Sequence, residues 1–203
     1  MNTFVSATIA AMVIVVLVLV GVSRAAPAEG KKKADALLEK EYGAYGKTTE
    51  EILSHEIGKN WRDVFGALEW RITQKSEARG ESSLTETERQ IVAAYWVELE
   101  VGNGGFDQYF NNSAGDSAAT ALAGLKAMGA TAAAAILERA MAVFPGGKPP
   151  ADRGQRGKIM EEIDAKATPI WNKCDKDLDE LKVDIAASCL AYAKKKRAEI
   201  ILP

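Results

Sequence analysis

Side chains that commonly ligate metals or act as nucleophiles are scarce in this chain, which holds one histidine and two cysteines in 203 residues. His55 has no second histidine and no cysteine near it in sequence, so a zinc site would need ligands from distant segments. A catalytic base needs an identifiable nucleophile or substrate pocket, and none is visible beside it. A structural histidine is the simpler reading, and no catalytic, metal or cofactor-binding residue is assigned. Cys174 and Cys189 fall in one expected helix, 15 residues apart. That is about 22 Å along the axis, too far for a disulfide. They read as small buried hydrophobes in a reducing compartment.

Charge of one sign is also lacking. A formal net charge of −2 provides no global field to recruit nucleic acid. Sustained alternation of apolar and polar residues with β-branched side chains is absent throughout, which makes strands improbable. No internal repeat is visible. The 27% charged and 47% apolar residues suit a globular domain with a real core, and the length suits one domain plus an appendage.

The appendage lies at the front. Residues 2–23 carry no charge, and residues 4–22 are almost wholly Val, Ile, Leu, Ala and Met. As a helix this run reaches roughly 28 Å, close to the hydrocarbon thickness of a bilayer. A signal peptide cleaved near residues 25–28 competes with an uncleaved anchor. The absence of Lys and Arg before the run, and its length, favour the anchor. Arg24, Lys31, Lys32 and Lys33 all follow it, so the positive-inside rule leaves the C-terminal domain in the cytoplasm of a single-pass inner-membrane protein. The expected organisation is an anchor over 1–24, a basic tether over 25–33 and a helical domain over 34–203.

Within that domain the apolar spacing is helical. Helices are expected over 34–42 and 49–57, the second capped by Thr49, and over 60–75, where Trp61, Val64, Phe65, Leu68 and Ile72 share a face. Thr85 to Glu88 forms a capping box that opens a helix through Tyr95, Trp96 and Leu99. Asp116 is the expected N-cap of a helix over 117–128, and Gly129 ends it. Another follows over 131–144. Twelve alanines between Ala118 and Ala142 predict a tightly packed hairpin of these two helices. Asp152 opens a helix to about residue 166, and Pro169 begins a long last helix to about residue 200. The fold class is all-α, a compact multi-helix bundle preceded by one transmembrane helix.

The joint at 98–116, Glu-Leu-Glu-Val-Gly-Asn-Gly-Gly-Phe-Asp-Gln-Tyr-Phe-Asn-Asn-Ser-Ala-Gly-Asp, stands out. Gly102, Gly104 and Gly105 permit a sharp reversal. Phe106, Tyr109 and Phe110 form one apolar face of a short helix and belong in the core, with Gly115 completing the structural motif. Glu98, Asp107, Gln108, Asn111, Asn112 and Asp116 either cap helix ends and satisfy loop backbone or line a recognition groove for a protein partner. Their spacing does not match a calcium loop, and Gly-Asn-Gly-Gly lacks the Lys-Ser/Thr pair and strand setting of a phosphate loop.

This joint resembles the DNA-mimic-protein-like domain family, a helical domain of unknown function with a Gly-Gly-Phe-x-Gln-Tyr-Phe motif. The likeness continues through Met128-Gly-Ala, Phe144-Pro-Gly-Gly, Pro150-Ala-Asp-Arg and the Leu178-Asp-Glu-Leu helix, about residues 50–200. It implies an all-helical, often dimeric domain without known cofactor or catalytic centre. In one branch an acidic dimer surface imitates the phosphates of duplex DNA and sequesters a transcription regulator. Removing Glu29 and Arg24 from the totals of 28 and 26 leaves 27 acidic and 25 basic residues from Lys31 onward. Locally, residues 77–116 hold eight carboxylates against two arginines, a net of −6, and residues 161–184 hold eight against four lysines, a net of −4.

Three functions follow from these readings. The first is a membrane-anchored, non-enzymatic module that binds a protein partner at the joint, in contact with the bilayer through residues 4–22, without direct nucleic-acid binding and with a homodimer left open. The second is a DNA mimic that sequesters a basic DNA-binding protein. The third is a small-ligand receptor or enzyme with a pocket at the joint.

Overall fold

The computed structural model describes residues 28–55, 58, 60–181 and 184–202. The span expected over residues 4–22 lies outside the described residues. Among the described residues no helix is long and apolar enough to cross a membrane, and none is in a strand.

The described chain forms α1 (Ala28–Tyr42), α2 (Thr49–Ser54), α3 (Trp61–Arg79), α4 (Glu86–Asn111), α5 (Ala118–Ala127), α6 (Thr131–Met141), α7 (Arg153–Glu180) and α8 (Ile185–Lys195), joined by short 3-10 turns. α4 is the central element and packs against α3, α5, α7 and α8. Its capping box forms as expected: the Thr85 hydroxyl accepts from Glu88 N at 3.2 Å, and the Glu88 carboxylate accepts from Thr85 N at 2.8 Å. That carboxylate is fully buried and also receives Lys75 Nζ at 2.7 Å and Ile201 N at 2.7 Å. One side chain therefore starts α4, ties it to α3 and pins the C-terminal tail.

The alanine-rich segment packs closely, as its composition requires. α5 and α6 form the expected hairpin, and α5 also lies against α4 through Ala118, Ala121, Gly124 and Leu125. A Cβ on Gly124 would come within 2.8 Å of the Gln90 carbonyl, so the two backbones nearly touch there.

Several boundaries differ from those expected. Residues 28–33 belong to α1 and not to a tether, because Ala, Glu and Lys are good helix formers and Lys31 pairs with Glu77 at 3.0 Å. Thr48 rather than Thr49 caps α2, in a capping box with Glu51. The Thr49 hydroxyl instead donates to the Ile200 carbonyl at 2.9 Å. α7 continues through Pro169, since Pro169 and Ala165, whose carbonyl loses its helical donor there, both face solvent. The last helix is then split, because Asp184 accepts from Ala187 N at 2.8 Å and starts α8 afresh. Cys174 and Cys189 thus sit on different helices, both buried and free.

Candidate functional site

The glycine-rich joint is a kink inside α4 and not its end. Helical geometry fails only at Gly104 (φ −160°, ψ 21°) and Gly105 (φ 76°, ψ −177°), then resumes at Phe106. The conformation at Gly105 is one that only glycine adopts readily. A side chain there would also come within 2.5 Å of Asp175 Oδ2. That space is occupied for a reason: Asp175, on α7, accepts from Phe106 N at 2.8 Å and caps the second half of α4. Burial raises the Asp175 carboxyl above its ordinary range, the bond from Phe106 opposes the rise, and the neighbouring Asp107 adds to it. Gly102 stays helical and meets nothing, so the kink does not use it.

Beyond the kink, Phe106, Tyr109 and Phe110 are fully buried, as their spacing requires. Phe110 packs against Phe144 and Trp171 at ring separations of 4.9 and 5.4 Å. Burial of each ring contributes roughly 1.5–3 kcal/mol. The buried Glu100 bridges the bend from the other side, one oxygen accepting from Gln108 Nε2 at 2.8 Å and Asn112 Nδ2 at 2.9 Å. Its second oxygen and the Tyr109 hydroxyl are buried without a partner among the described residues.

A fully buried arginine locks the corner. Arg156 Nε donates to the Phe110 carbonyl at 2.5 Å, and Nη2 to the Asn112 carbonyl at 2.8 Å and to Asp116 at 2.6 Å. Nη1 serves the Pro150 and Ala151 carbonyls at 2.6 and 3.1 Å. Gly115 lets the chain pass, because a Cβ there would stand 2.9 Å from Arg156 Nε. Asp116 therefore does not cap α5, whose first turn has no side-chain cap. Neither Arg156 nor Asp175 was singled out from the sequence. The available signal was a charge on an apolar stripe, since Arg156 shares the inward face of α7 with Met160, Ala167, Trp171 and Cys174.

The six residues expected to meet a partner separate accordingly. Glu98 accepts from Ala186 N at 3.0 Å at the start of α8, and burial raises its carboxyl. Gln108 and Asn112 are held by Glu100, and Asp116 by Arg156. Asp107 and Asn111 are exposed. The acidic run over 77–116 is largely spent within the fold, with Glu77 on Lys31, Glu86 on Arg89 and Glu88 on Lys75. In the run over 161–184, Asp177 pairs with Arg139 and Asp184 with Arg62, whereas Glu161, Glu162, Asp164, Asp179 and Glu180 are exposed.

The outer side of the joint is open. Ser113, Ala114 and Ser117 form one wall of a groove of about 320 Å³. α3 supplies Thr73, Ser76 and Glu77 opposite, the following turn adds Glu81 and Leu84, and Val92, Ala93 and Trp96 of α4 line it between them. His55 is remote from it in function: its ring nitrogen bonds the Tyr45 carbonyl at 3.1 Å and its ring meets Tyr45 edge-on. Among the described residues no group of three or more His, Cys, Asp or Glu is placed to hold a metal.

This architecture defines an all-helical domain built on a kinked central helix whose corner is locked by a buried arginine. A family model described as DMP19-like protein matches residues 82–196, and the chain belongs to that family. The matched span leaves α1, α2 and α3 outside, so the groove lies on the seam between them and the family core. No curated protein and no solved structure is significantly similar to the chain.

Proposed function

We propose that this protein is a non-enzymatic module, held at the inner membrane with its helical domain in the cytoplasm, that binds a protein partner on the outer side of the joint. The observation that carries this reading is the division of labour at the corner. The inward groups are consumed by Arg156, Glu100 and Asp175, whereas Ser113, Ala114 and Ser117 front an open groove beside the half-buried Trp96. Membership in a family not known for enzymes supports a binding role. The uncharged run over 4–22, followed by Arg24 and the lysine triplet, supports the membrane placement.

Site-specific photo-crosslinking in native membranes tests the reading. A photoreactive residue at Ser113 or Asp107 is expected to capture a discrete protein adduct, and one at the exposed Lys158 is not. Identical adducts from all three positions, or none from the first two in folded protein, would refute it. Protease accessibility of the domain in spheroplasts reports the topology and separates the anchor from an exported, cleaved form.

A second reading, mimicry of DNA toward a basic regulator, is favoured by the family. It requires capture that weakens steeply with salt. A salt-insensitive complex eliminates it.

A further inference from the structure

We propose that the groove between α3, the 81–84 turn and the joint receives an arginine side chain from an extended segment of the partner. The guanidinium would stack on Trp96 and be drawn in by the Glu81 carboxylate. The inference rests on the protein-binding reading above and specifies its chemistry.

Charge and shape lead to the same occupant. Arg89 is the only cation in the lining, and its charge is answered within the fold by Glu86 at 3.0 Å, with a further bond to the Leu84 carbonyl. Glu81 is exposed and unpaired among the described residues. Glu77 is already paired with Lys31 at 3.0 Å, so Glu81 is the lining carboxylate left for an incoming cation. Trp96 is half-buried and its indole N–H has no protein partner among the described residues. An indole face in a groove that also holds an unpaired carboxylate attracts a planar cation and favours guanidinium over ammonium. The hydroxyls of Ser113, Ser117 and Thr120 line the rest, suited to the remaining N–H donors and the flanking peptide backbone. At about 320 Å³ the space lies at the small end of ligand sites, enough for one long side chain and its adjoining backbone rather than a folded element.

The full chain in detergent micelles, titrated with an acetylated, glycine-flanked single-arginine peptide, provides the test. The probe is read by the Trp96 indole N–H resonance, assigned with Trp96→Phe. The arginine peptide is expected to shift that resonance saturably. The citrulline peptide, a neutral isostere, should bind at least about tenfold more weakly, and Glu81→Gln should weaken the arginine peptide about fivefold. Glu81 lies in an exposed turn, so its variant keeps the fold. Equal binding of arginine and citrulline peptides, preference for a glutamate peptide, or an indole resonance unmoved by the arginine peptide would overturn the inference. Such a result with crosslinking at Ser113 intact would leave the protein-binding reading standing.

Discussion

Replacing Arg156 by methionine removes every donor of the corner lock while keeping a long apolar stem on the inward face of α7. The carbonyls of Phe110 and Asn112 then lose charged donors in a buried setting, at about 1–3 kcal/mol each. The Pro150 and Ala151 carbonyls and the 44%-exposed Asp116 side chain recover hydrogen bonds from water and contribute less. The expected loss is about 3–5 kcal/mol, a large share of the roughly 5–15 kcal/mol that holds a domain folded. For a domain of this size that lowers Tm by roughly 6–20 °C. Arg156→Lys keeps the charge but not the five-donor fork and should fall between wild type and Arg156→Met. Arg153→Met is the internal control, because Arg153 is exposed and makes one bond, to the Asn111 carbonyl at 2.8 Å. Its loss should stay below about 1 kcal/mol. Urea denaturation followed by circular dichroism reads all three. An Arg156→Met protein within about 1 kcal/mol of wild type, or no more affected than Arg153→Met, would refute the lock.

Gly105→Ala should destabilise by about 2–4 kcal/mol, since it forces a side chain into a glycine-only conformation and against Asp175; a loss below about 1 kcal/mol in urea titration would contradict this. Lys75→Met strands the buried Glu88 carboxylate and should lose about 3–5 kcal/mol, whereas the Lys75→Met, Glu88→Gln pair should lose less than the two single losses combined; a double-mutant cycle that shows strict additivity would remove the coupling. Burial raises the Glu69 carboxyl to about 7, against a hydrogen bond from Thr73 that lowers it. The folded state therefore keeps a proton that the unfolded chain releases above pH 4.5, and stability falls as pH rises through the window from 4.5 to about 7. Glu69→Gln should flatten that slope and gain about 1–3 kcal/mol at pH 8; parallel Tm profiles of the two proteins would rule it out.

What the sequence made legible was local. The Thr85–Glu88 capping box, the Asp152 cap, the inward face of Phe106, Tyr109 and Phe110 and the close-packed alanines all follow from spacing over a few residues. The family resemblance came from the joint itself. What escaped depended on partners far along the chain. Thr49 reads as a cap until Ile200 arrives to accept its hydroxyl proton. Asp116 reads as a cap until Arg156, forty residues on, claims it. Pro169 reads as a helix start because sequence alone does not say that the carbonyl it frees faces water. The partition of the joint into consumed and open sides was hidden for the same reason, since Asp175 and α3 complete it from elsewhere.

A bent rod whose halves are fastened by different neighbours need not loosen as one piece. The stretch before Gly104 is moored to α3, α5 and α8, and the stretch after Gly105 to the arginine and aspartate of α7. Amide exchange on this helix should accordingly fall into two protection classes that divide at the glycine pair, and Asp175→Ala should accelerate only the class that begins at Phe106.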